Sequence, residues 1–201
     1  MIYINVIGRR RKYMPPKRKV AKEDIADAAI NIVRESGASA LNARAVATKL
    51  GVSTQPIFSH YETMEMLKRD VIRFAHEIYQ SYLEQDMKSG EFPPYKASGM
   101  AYIRFAKEEK ELFKLLFMRD RSGEEISDNF DEVRPIIQII QKNTGLSEQD
   151  ASLFHLEMWA YVHGIATMTA TSYLELEKET ISRMLTDAYM GMKERYCGKD
   201  E

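Results

Sequence analysis

The chain has 201 residues, of which 44% are hydrophobic and 29% are charged, with a formal net charge of −1. This length supports one or two small domains with real cores. No apolar run approaches the roughly 20 residues that span a bilayer, which argues against a membrane-bound protein. The one cysteine, Cys197, excludes a disulfide framework and a cysteine metal site within the chain, so we expect a cytoplasmic protein.

The small net charge conceals an uneven distribution along the chain. Residues 1–60 carry 11 Lys and Arg against 4 Asp and Glu, whereas residues 61–201 carry 18 against 26. A basic head on an acidic body fits a DNA-binding module attached to a domain that does not touch DNA. Charge alone indicates only non-specific attraction, so it supports this interpretation without establishing it.

Residues 1–20 form a basic extension that contains no acidic residue. Its cations are Arg9, Arg10, Arg11, Lys12, Lys17, Arg18 and Lys19. One interpretation is a flexible arm that neutralises phosphates or enters the minor groove. The other is that translation begins at Met14 and the preceding residues are not part of the protein.

A predicted helix over residues 23–36 carries a narrow apolar stripe and ends at Gly37. Two short helical patterns then follow, joined by a glycine turn. Asn42 suits the N-cap of the first, and Gly51 suits its left-handed C-terminal cap. We expect Ser53 to cap the second helix.

This second helix has the features of a DNA-reading element. Pro56 falls in its first turn, where a missing amide costs little. Ile57 and Phe58 are its only large apolar anchors, and its other positions are small or hydrogen-bonding, which suits a major groove. Helix, glycine turn and capped helix form a helix-turn-helix pattern. From the pattern alone, an ordinary surface αα-hairpin remains the alternative.

The remainder of the chain is also helical in pattern. Helices are predicted over 62–85, 95–118 with an interruption at 107–111, 124–142 with an interruption at Pro135, 147–171 and 177–196. No segment of useful length has strand periodicity, so the expected fold class is all-α. We divide the chain into the extension 1–20, a helix-turn-helix DNA-binding domain 21–68 and a helical ligand-binding and dimerisation domain 69–201.

Residues 22–75 resemble the N-terminal domain of TetR-family transcriptional regulators. The resemblance rests on the alanine-rich first helix, the Gly37 turn, Gly-Val-Ser at 51–53, the run from Phe58 to Tyr61, and Leu67. The segment from Met14 also resembles an ordinary N-terminus of this family, which favours the second interpretation of the basic extension. The family usually has Tyr at the position of Phe58 and Lys at the position of Met64, so phosphate anchoring here is expected to be weaker or to shift to neighbours such as Lys68.

The region from Phe105 to Tyr189 resembles, more loosely, a TetR-type C-terminal domain. The resemblance rests on the spaced Trp159, His163 and Gly164 and on the run FAKEEKELFKLLF. It implies a homodimeric regulator, more often a repressor, that a small molecule releases from a double-stranded DNA operator. It also implies that the ligand acts by changing the separation of the two recognition helices. The apolar faces of the last two helices, including Ile181 and Leu185, would form a large exposed patch on a monomer. We therefore expect these two helices from each subunit to pair in a four-helix bundle at the dimer interface.

Candidate site residues follow from the motif and from this resemblance. Candidates for base-edge contacts are Thr54, Gln55 and Ser59. Candidates for phosphate positioning are Asn42, Arg44, His60 and Tyr61. The same DNA-binding set also includes Ser53, Pro56 and Phe58.

Candidates for lining an effector pocket are Tyr102, Phe105, Phe117, Met118, Trp159 and His163. Aromatic and methionine side chains predominate there, so the expected effector is apolar or aromatic. Trp159 and His163 share a helix face, and either cavity lining or ordinary core packing would explain them.

No catalytic pattern is evident in the sequence. It lacks His-Glu-x-x-His, a glycine-rich phosphate loop and a serine-centred nucleophile elbow. We therefore expect no enzyme activity, no cofactor and no metal. The competing hypothesis is a helical small-molecule-binding protein or enzyme whose basic head binds nucleic acid non-specifically.

Overall fold

The computed structural model describes residues 20–120 and 130–198. The basic extension, except for Val20, therefore lies outside the described residues, as does the start of the helix predicted from residue 124. The described residues are all-helical, as predicted. The helices are α1 (Lys22–Ser36), α2 (Ala43–Leu50), α3 (Gln55–His60), α4 (Met64–Ser89), α5 (Pro94–Glu108), α6 (Lys110–Phe117), α7 (Phe130–Thr144), α8 (Glu148–Ala170) and α9 (Lys178–Cys197), with a short 3₁₀ turn at Ala38–Ala40.

The caps of α2 match the sequence expectation. The Asn42 side chain accepts a hydrogen bond from the Ala45 amide at 3.0 Å. Gly51 closes the helix in the left-handed region, with φ 67° and ψ 33°. A side chain with a Cβ is disfavoured in this conformation, so the tight turn into the next helix depends on glycine.

The start of α3 differs from the expectation by one residue. Thr54, and not Ser53, is the N-cap, because the Thr54 carbonyl accepts from the amides of Ile57 and Phe58 at 3.1 and 3.3 Å. Thr54 already has helical dihedral angles, and its side chain makes no capping hydrogen bond. Pro56 lies in the first turn as predicted.

The long helix α4 links the helix-turn-helix to the rest of the chain. It begins at Thr63, whose side chain accepts from the Met66 amide, and it ends before Gly90, which has φ 68°. Its first half packs Leu67, Val71 and Ala75 into the core shared with α1. Because α4 continues without a break across residue 68, the proposed domain boundary falls inside one helix.

The body is organised around α5, which packs against α4, α6, α7, α8 and α9. One apolar core runs continuously from α1 to α9, and a smaller cluster joins α7, α8 and α9 through Ile137, Ile140 and Phe154. The helix α7 continues through Pro135, so the predicted interruption there is wrong. None of the described helices has a stretch apolar and long enough to span a membrane.

The last two helices differ from the expectation in what they bury. Leu185 of α9 is only 3% exposed, and a Cβ placed on Gly99 would lie 3.2 Å from its side chain. The Ile181 and Leu185 face of α9 is therefore part of the subunit's own core, and is not a free surface for pairing. On α8 only one side is buried within the chain, and large apolar side chains remain exposed on the other: Leu153, Leu156 and Tyr161. Trp159, 42% exposed, lies at the edge between the two sides.

Candidate functional site

The outer face of α3 carries the side chains predicted to read DNA. Gln55, Phe58 and Ser59 are exposed and, at spacings of three and four residues, share one face of the helix. Ile57 is fully buried and anchors the opposite face. Phe58 was expected to be a second anchor, but it is 48% exposed, so it belongs to the outward surface.

The neighbouring candidates have different environments. Ser53 and Arg44 are exposed, whereas Thr54 and Pro56 are half-buried. Arg44 forms no ion pair with the described residues, which leaves its guanidinium available for phosphate. Asn42 uses both ends of its amide locally, since Oδ1 accepts from Ala45 and Nδ2 donates to the Ala40 carbonyl.

Tyr61 has a structural position that rules out the phosphate contact expected of it. Its side chain is 2% exposed, and its hydroxyl donates to Asp70 Oδ2 at 3.0 Å. Lys22 pairs with the same carboxylate oxygen at 2.9 Å and lies over the Tyr61 ring. Tyr61 therefore fixes the end of α3 to α1 and α4, and burial raises the pKa of its phenol.

His60 lies beside the point where the described chain begins. Its Nε2 is 3.0 Å from the carbonyl oxygen of Val20, and the side chain is exposed. Val20 thus leads out of the basic extension next to the end of α3. This arrangement places the start of α1 close to the end of α3.

A cavity of about 850 Å³ lies in the body, between α4, α5, α6, α7, α8 and α9. Small-molecule sites typically occupy about 300–1,000 Å³, so its size suits a small organic ligand. Of the predicted lining residues, Tyr102, Phe117 and Trp159 contribute to its wall. Phe105 lies behind the wall against Tyr79 and Tyr82, with ring centroids 5.3 and 5.4 Å away.

Two other predicted pocket residues do not line this cavity. Met118 is exposed, and His163 lies behind Tyr102 with its Nδ1 2.9 Å from the Tyr102 hydroxyl. The His163 ring stacks on Trp159 with centroids 5.0 Å apart. Burial lowers the pKa of His163 and raises that of Tyr102, so both groups are neutral near pH 7.

The sequence analysis missed a second pair of the same kind. Tyr95 and His155 are joined through the phenol oxygen and Nδ1 at 3.3 Å, and both line the cavity. Burial lowers the pKa of His155. The signal was present in the spacing, because the two tyrosines are seven apart on α5 and the two histidines are eight apart on α8. Such spacings return to the same helix face after two turns.

Besides the continuous helix α4, a close ion pair between Arg34 and Glu109 joins the head to the body. Arg34, in the last turn of α1, donates from Nε and Nη2 to the two carboxylate oxygens of Glu109 at 2.8 and 2.7 Å. Glu109 stands at the junction of α5 and α6. Beside it, a Cβ on Gly37 would lie 3.0 Å from the Glu111 carboxylate. The end of α1 is thus fitted closely against the part of the body that leads to the cavity.

The described residues include no group of three histidine, cysteine, aspartate or glutamate side chains that could hold a metal ion.

A head with an outward-facing recognition helix, attached to a helical body with an organic-ligand-sized cavity, defines a helix-turn-helix DNA-binding regulator.

Comparison with known proteins agrees with this class. Residues 95–189 match the family of tetracyclin repressor-like C-terminal domains. A TetR-like transcriptional regulator from Rhodococcus sp. RHA1 has a similar structure, with a TM-score of 0.65 at 15% identity, over 92% of this chain and 100% of that one. A protein of Pseudomonas aeruginosa PAO1 assigned to the transcriptional regulators has a TM-score of 0.65 at 13% identity, over 87% of this chain and 92% of that one. A search of curated protein sequences finds no match.

Residues 95–189 therefore match a tetracyclin repressor-like C-terminal domain, and the fold of the whole chain is similar to that of the TetR-like regulator.

Proposed function

We propose that the protein is a homodimeric transcriptional repressor that leaves its operator when a small organic molecule occupies the body cavity. The observation that carries the proposal is the double role of α4. Its first half packs Leu67 and Val71 against the head, while Ile72, His76 and Tyr79 line the cavity. One rigid element therefore contacts both the ligand space and the DNA-binding domain.

The route from cavity to head has a second branch through α6. Leu116 and Phe117 line the cavity, and α6 packs against α1. The Arg34–Glu109 pair closes this contact at the end of α1. A ligand that separates α4 from α6 would therefore tilt the head as a unit. It lowers operator affinity only to the extent that it binds the tilted state more tightly.

Dimerisation in this proposal uses the exposed side of α8 and of α9. Leu156 is 56% exposed and Met190 is 57% exposed. The small residues Ala160, Gly164 and Gly191 are exposed on the same two helices and would allow close approach of a partner helix. Two helices from each subunit would then form a four-helix bundle. Such a dimer would present its two α3 helices to successive major grooves, about 34–36 Å apart.

For DNA reading, we propose that Gln55 contacts a base edge, with Ser59 and Thr54 beside it and Arg44 on the phosphates. A glutamine amide can pair bidentately with adenine, and such a contact contributes about 1–3 kcal/mol of discrimination. The Ser59 hydroxyl donates to the Gln55 carbonyl at 2.9 Å, which leaves its oxygen as an acceptor. Phe58 adds an apolar surface that suits a thymine methyl group.

The experiment is a mobility shift with DNA from upstream of the protein's own gene, over a series of salt concentrations. Gln55→Ala should weaken specific binding by about 1–3 kcal/mol while leaving non-specific binding nearly unchanged. Gln149→Ala, an exposed glutamine in the first turn of α8, is the matched control. Equal loss of specific and non-specific binding, or no loss, would contradict the assignment of α3 as the reading helix.

A further inference from the structure

Among the residues that the structure describes, the charged side chains lining the body cavity are cationic. Its described lining residues include the cations Lys96, Arg119 and Lys193 but no aspartate or glutamate. Neither Lys96 nor Lys193 forms an ion pair with any described residue. The Lys96 ammonium donates to the Thr186 hydroxyl at 2.8 Å and lies 4.8 Å from the centre of the Phe92 ring. The ammonium groups of Lys96 and Lys193 are thus left without a carboxylate partner among the described residues.

The two lysines approach the same end of the cavity. Thr186, Tyr189 and Lys193 follow one another at spacings of three and four residues, so they lie on one face of α9. Side chains on a helix lean towards its N-terminus, which brings Lys193 back towards Thr186. Thr186 is the residue that holds the Lys96 ammonium. Tyr189 also lines this part of the wall, with its ring centroid 5.9 Å from that of Tyr95.

The other end of the cavity is aromatic. The rings of Tyr79, Tyr102 and Phe117 pack together with centroids 4.9 to 5.8 Å apart, and all three line the space. Tyr102 lies six residues along α5 from Lys96, which is about 9 Å of helix rise. The cavity therefore has two lysines at one end and an aromatic surface, with Arg119 beside it, at the other. The distance between the two ends is one that a medium-length organic molecule can span.

From this polarity we infer that the cavity takes an amphipathic organic anion, with a monocarboxylate as its simplest form. The carboxylate accepts from Lys96 and Lys193, and the Tyr95–His155 pair supplies a neutral polar wall beside it. The hydrocarbon or aromatic tail lies against Tyr79, Tyr102 and Phe117. Hydrogen bonds between ammonium and carboxylate are stronger than those between neutral groups, and a cationic ligand would be repelled here. The inference rests on the proposed function, because it names the ligand class of the proposed effector site.

The test compares three ten-carbon probes that differ in head-group charge: decanoate, decanol and decylammonium. Binding to the full-length protein is followed through Trp159, the only tryptophan of the chain, which lines the cavity. Decanoate should bind about tenfold or more tightly than decanol, and decylammonium more weakly than decanol. The double variant Lys96→Met and Lys193→Met should remove the preference for decanoate and leave decanol affinity unchanged. Lys107→Met, an exposed lysine of α5 outside the cavity wall, should bind like the wild type.

Tighter binding of decylammonium, equal binding of the three probes, or binding of none of them would overturn the inference. It would also be overturned by a double variant that folds, as judged by far-UV circular dichroism, and keeps the full preference for decanoate. If the double variant does not fold, Lys193→Met alone gives the decision, because a half-exposed methionine at that position is readily accommodated.

Operator binding by the ligand-free protein, measured in parallel, separates this inference from the proposed function. Lysine-dependent decanoate binding without operator recognition would contradict the proposed function and leave the ligand class intact. Operator recognition without a preference for decanoate would contradict the ligand class and leave the proposed function intact.

Discussion

The Tyr102 hydroxyl lies 2.9 Å from Nδ1 of His163, and the same imidazole stacks on Trp159. This contact ties α5 to α8 behind the cavity wall, with both groups neutral because burial raises the pKa of Tyr102 and lowers that of His163. The four-residue spacing of Trp159 and His163 on α8 therefore allows their rings to stack, while His163 hydrogen-bonds to Tyr102. Its position behind the wall is a support for Tyr102 and Trp159, which do line the cavity.

Trp159 fluorescence should report the protonation of His163. Because the pKa of His163 is lowered from 6.5, the emission should be constant above that pH and should change with a midpoint below it. The free energy of unfolding should also decrease as the pH is lowered through the same range. A lowered pKa in the folded state means that the contribution is complete above 6.5 and is lost as the pH falls through the folded value. His163→Phe keeps an aromatic ring beside Trp159 and should abolish this titration. A transition that survives unchanged in His163→Phe would assign it to another group.

The exposed apolar side of α8 should mediate dimerisation. Leu156→Arg places a charge in the centre of the proposed interface, where it would be buried without a partner. The expected result is a monomer by light scattering, with far-UV helicity retained and operator binding strongly weakened. Met87→Arg alters an exposed methionine of α4 and is the control that should remain dimeric. A dimeric Leu156→Arg protein would place the interface on another surface. Leu185→Arg is unsuitable for this test, because Leu185 is buried within its own subunit.

The Arg34–Glu109 pair should couple the head to the body. In a double-mutant cycle with Arg34→Gln and Glu109→Gln, we expect a coupling free energy of about 1–2 kcal/mol in chemical unfolding. The Glu109 side chain is only 15% exposed, which limits screening by solvent. The exposed Lys88–Glu84 pair of α4 is the control and should give nearly zero in the same cycle. Equal values for the two pairs would mean that Arg34 and Glu109 do not hold the head in place.

The Asp70 carboxylate should contribute stability that depends on pH. The Lys22 ammonium and the Tyr61 hydroxyl hydrogen-bond to it and lower its pKa from 3.8. Its contribution is therefore complete above that pH and is lost as the pH falls through the folded value. Asp70→Asn should reduce the unfolding free energy by about 0.5–1 kcal/mol near pH 7. Wild type and variant should converge in strong acid when urea unfolding is compared at fixed protein concentration.

Asp187→Asn removes a carboxylate from a more exposed pair, with Arg183 3.6 Å away, and should change stability little at either pH. If the difference in unfolding free energy between wild type and Asp70→Asn does not depend on pH, the stabilisation comes from the packing of Asp70 and not from its charge.

Most of the helices, and the turn between α2 and α3, could be predicted from local sequence pattern. Asn42 and Gly51 act through their own backbone and the few residues beside them, so their roles as caps could be read from local pattern. The same holds for the amphipathic stripes of α1 and α4, because helical periodicity is a property of one segment. The class of protein followed from these local features together with the charged head.

Which apolar faces meet within the subunit became evident from the three-dimensional packing alone. Phe58 and Tyr61 are three residues apart and both aromatic, yet one lies on the surface and the other is held by Asp70 in the core. Leu185 faces Gly99 on a distant segment, whereas Leu156 remains exposed. Lys96 and Lys193 are almost a hundred residues apart, and they line one cavity because α5 and α9 pack side by side. Burial and charge environment depend on such long-range contacts, and no local pattern contains them.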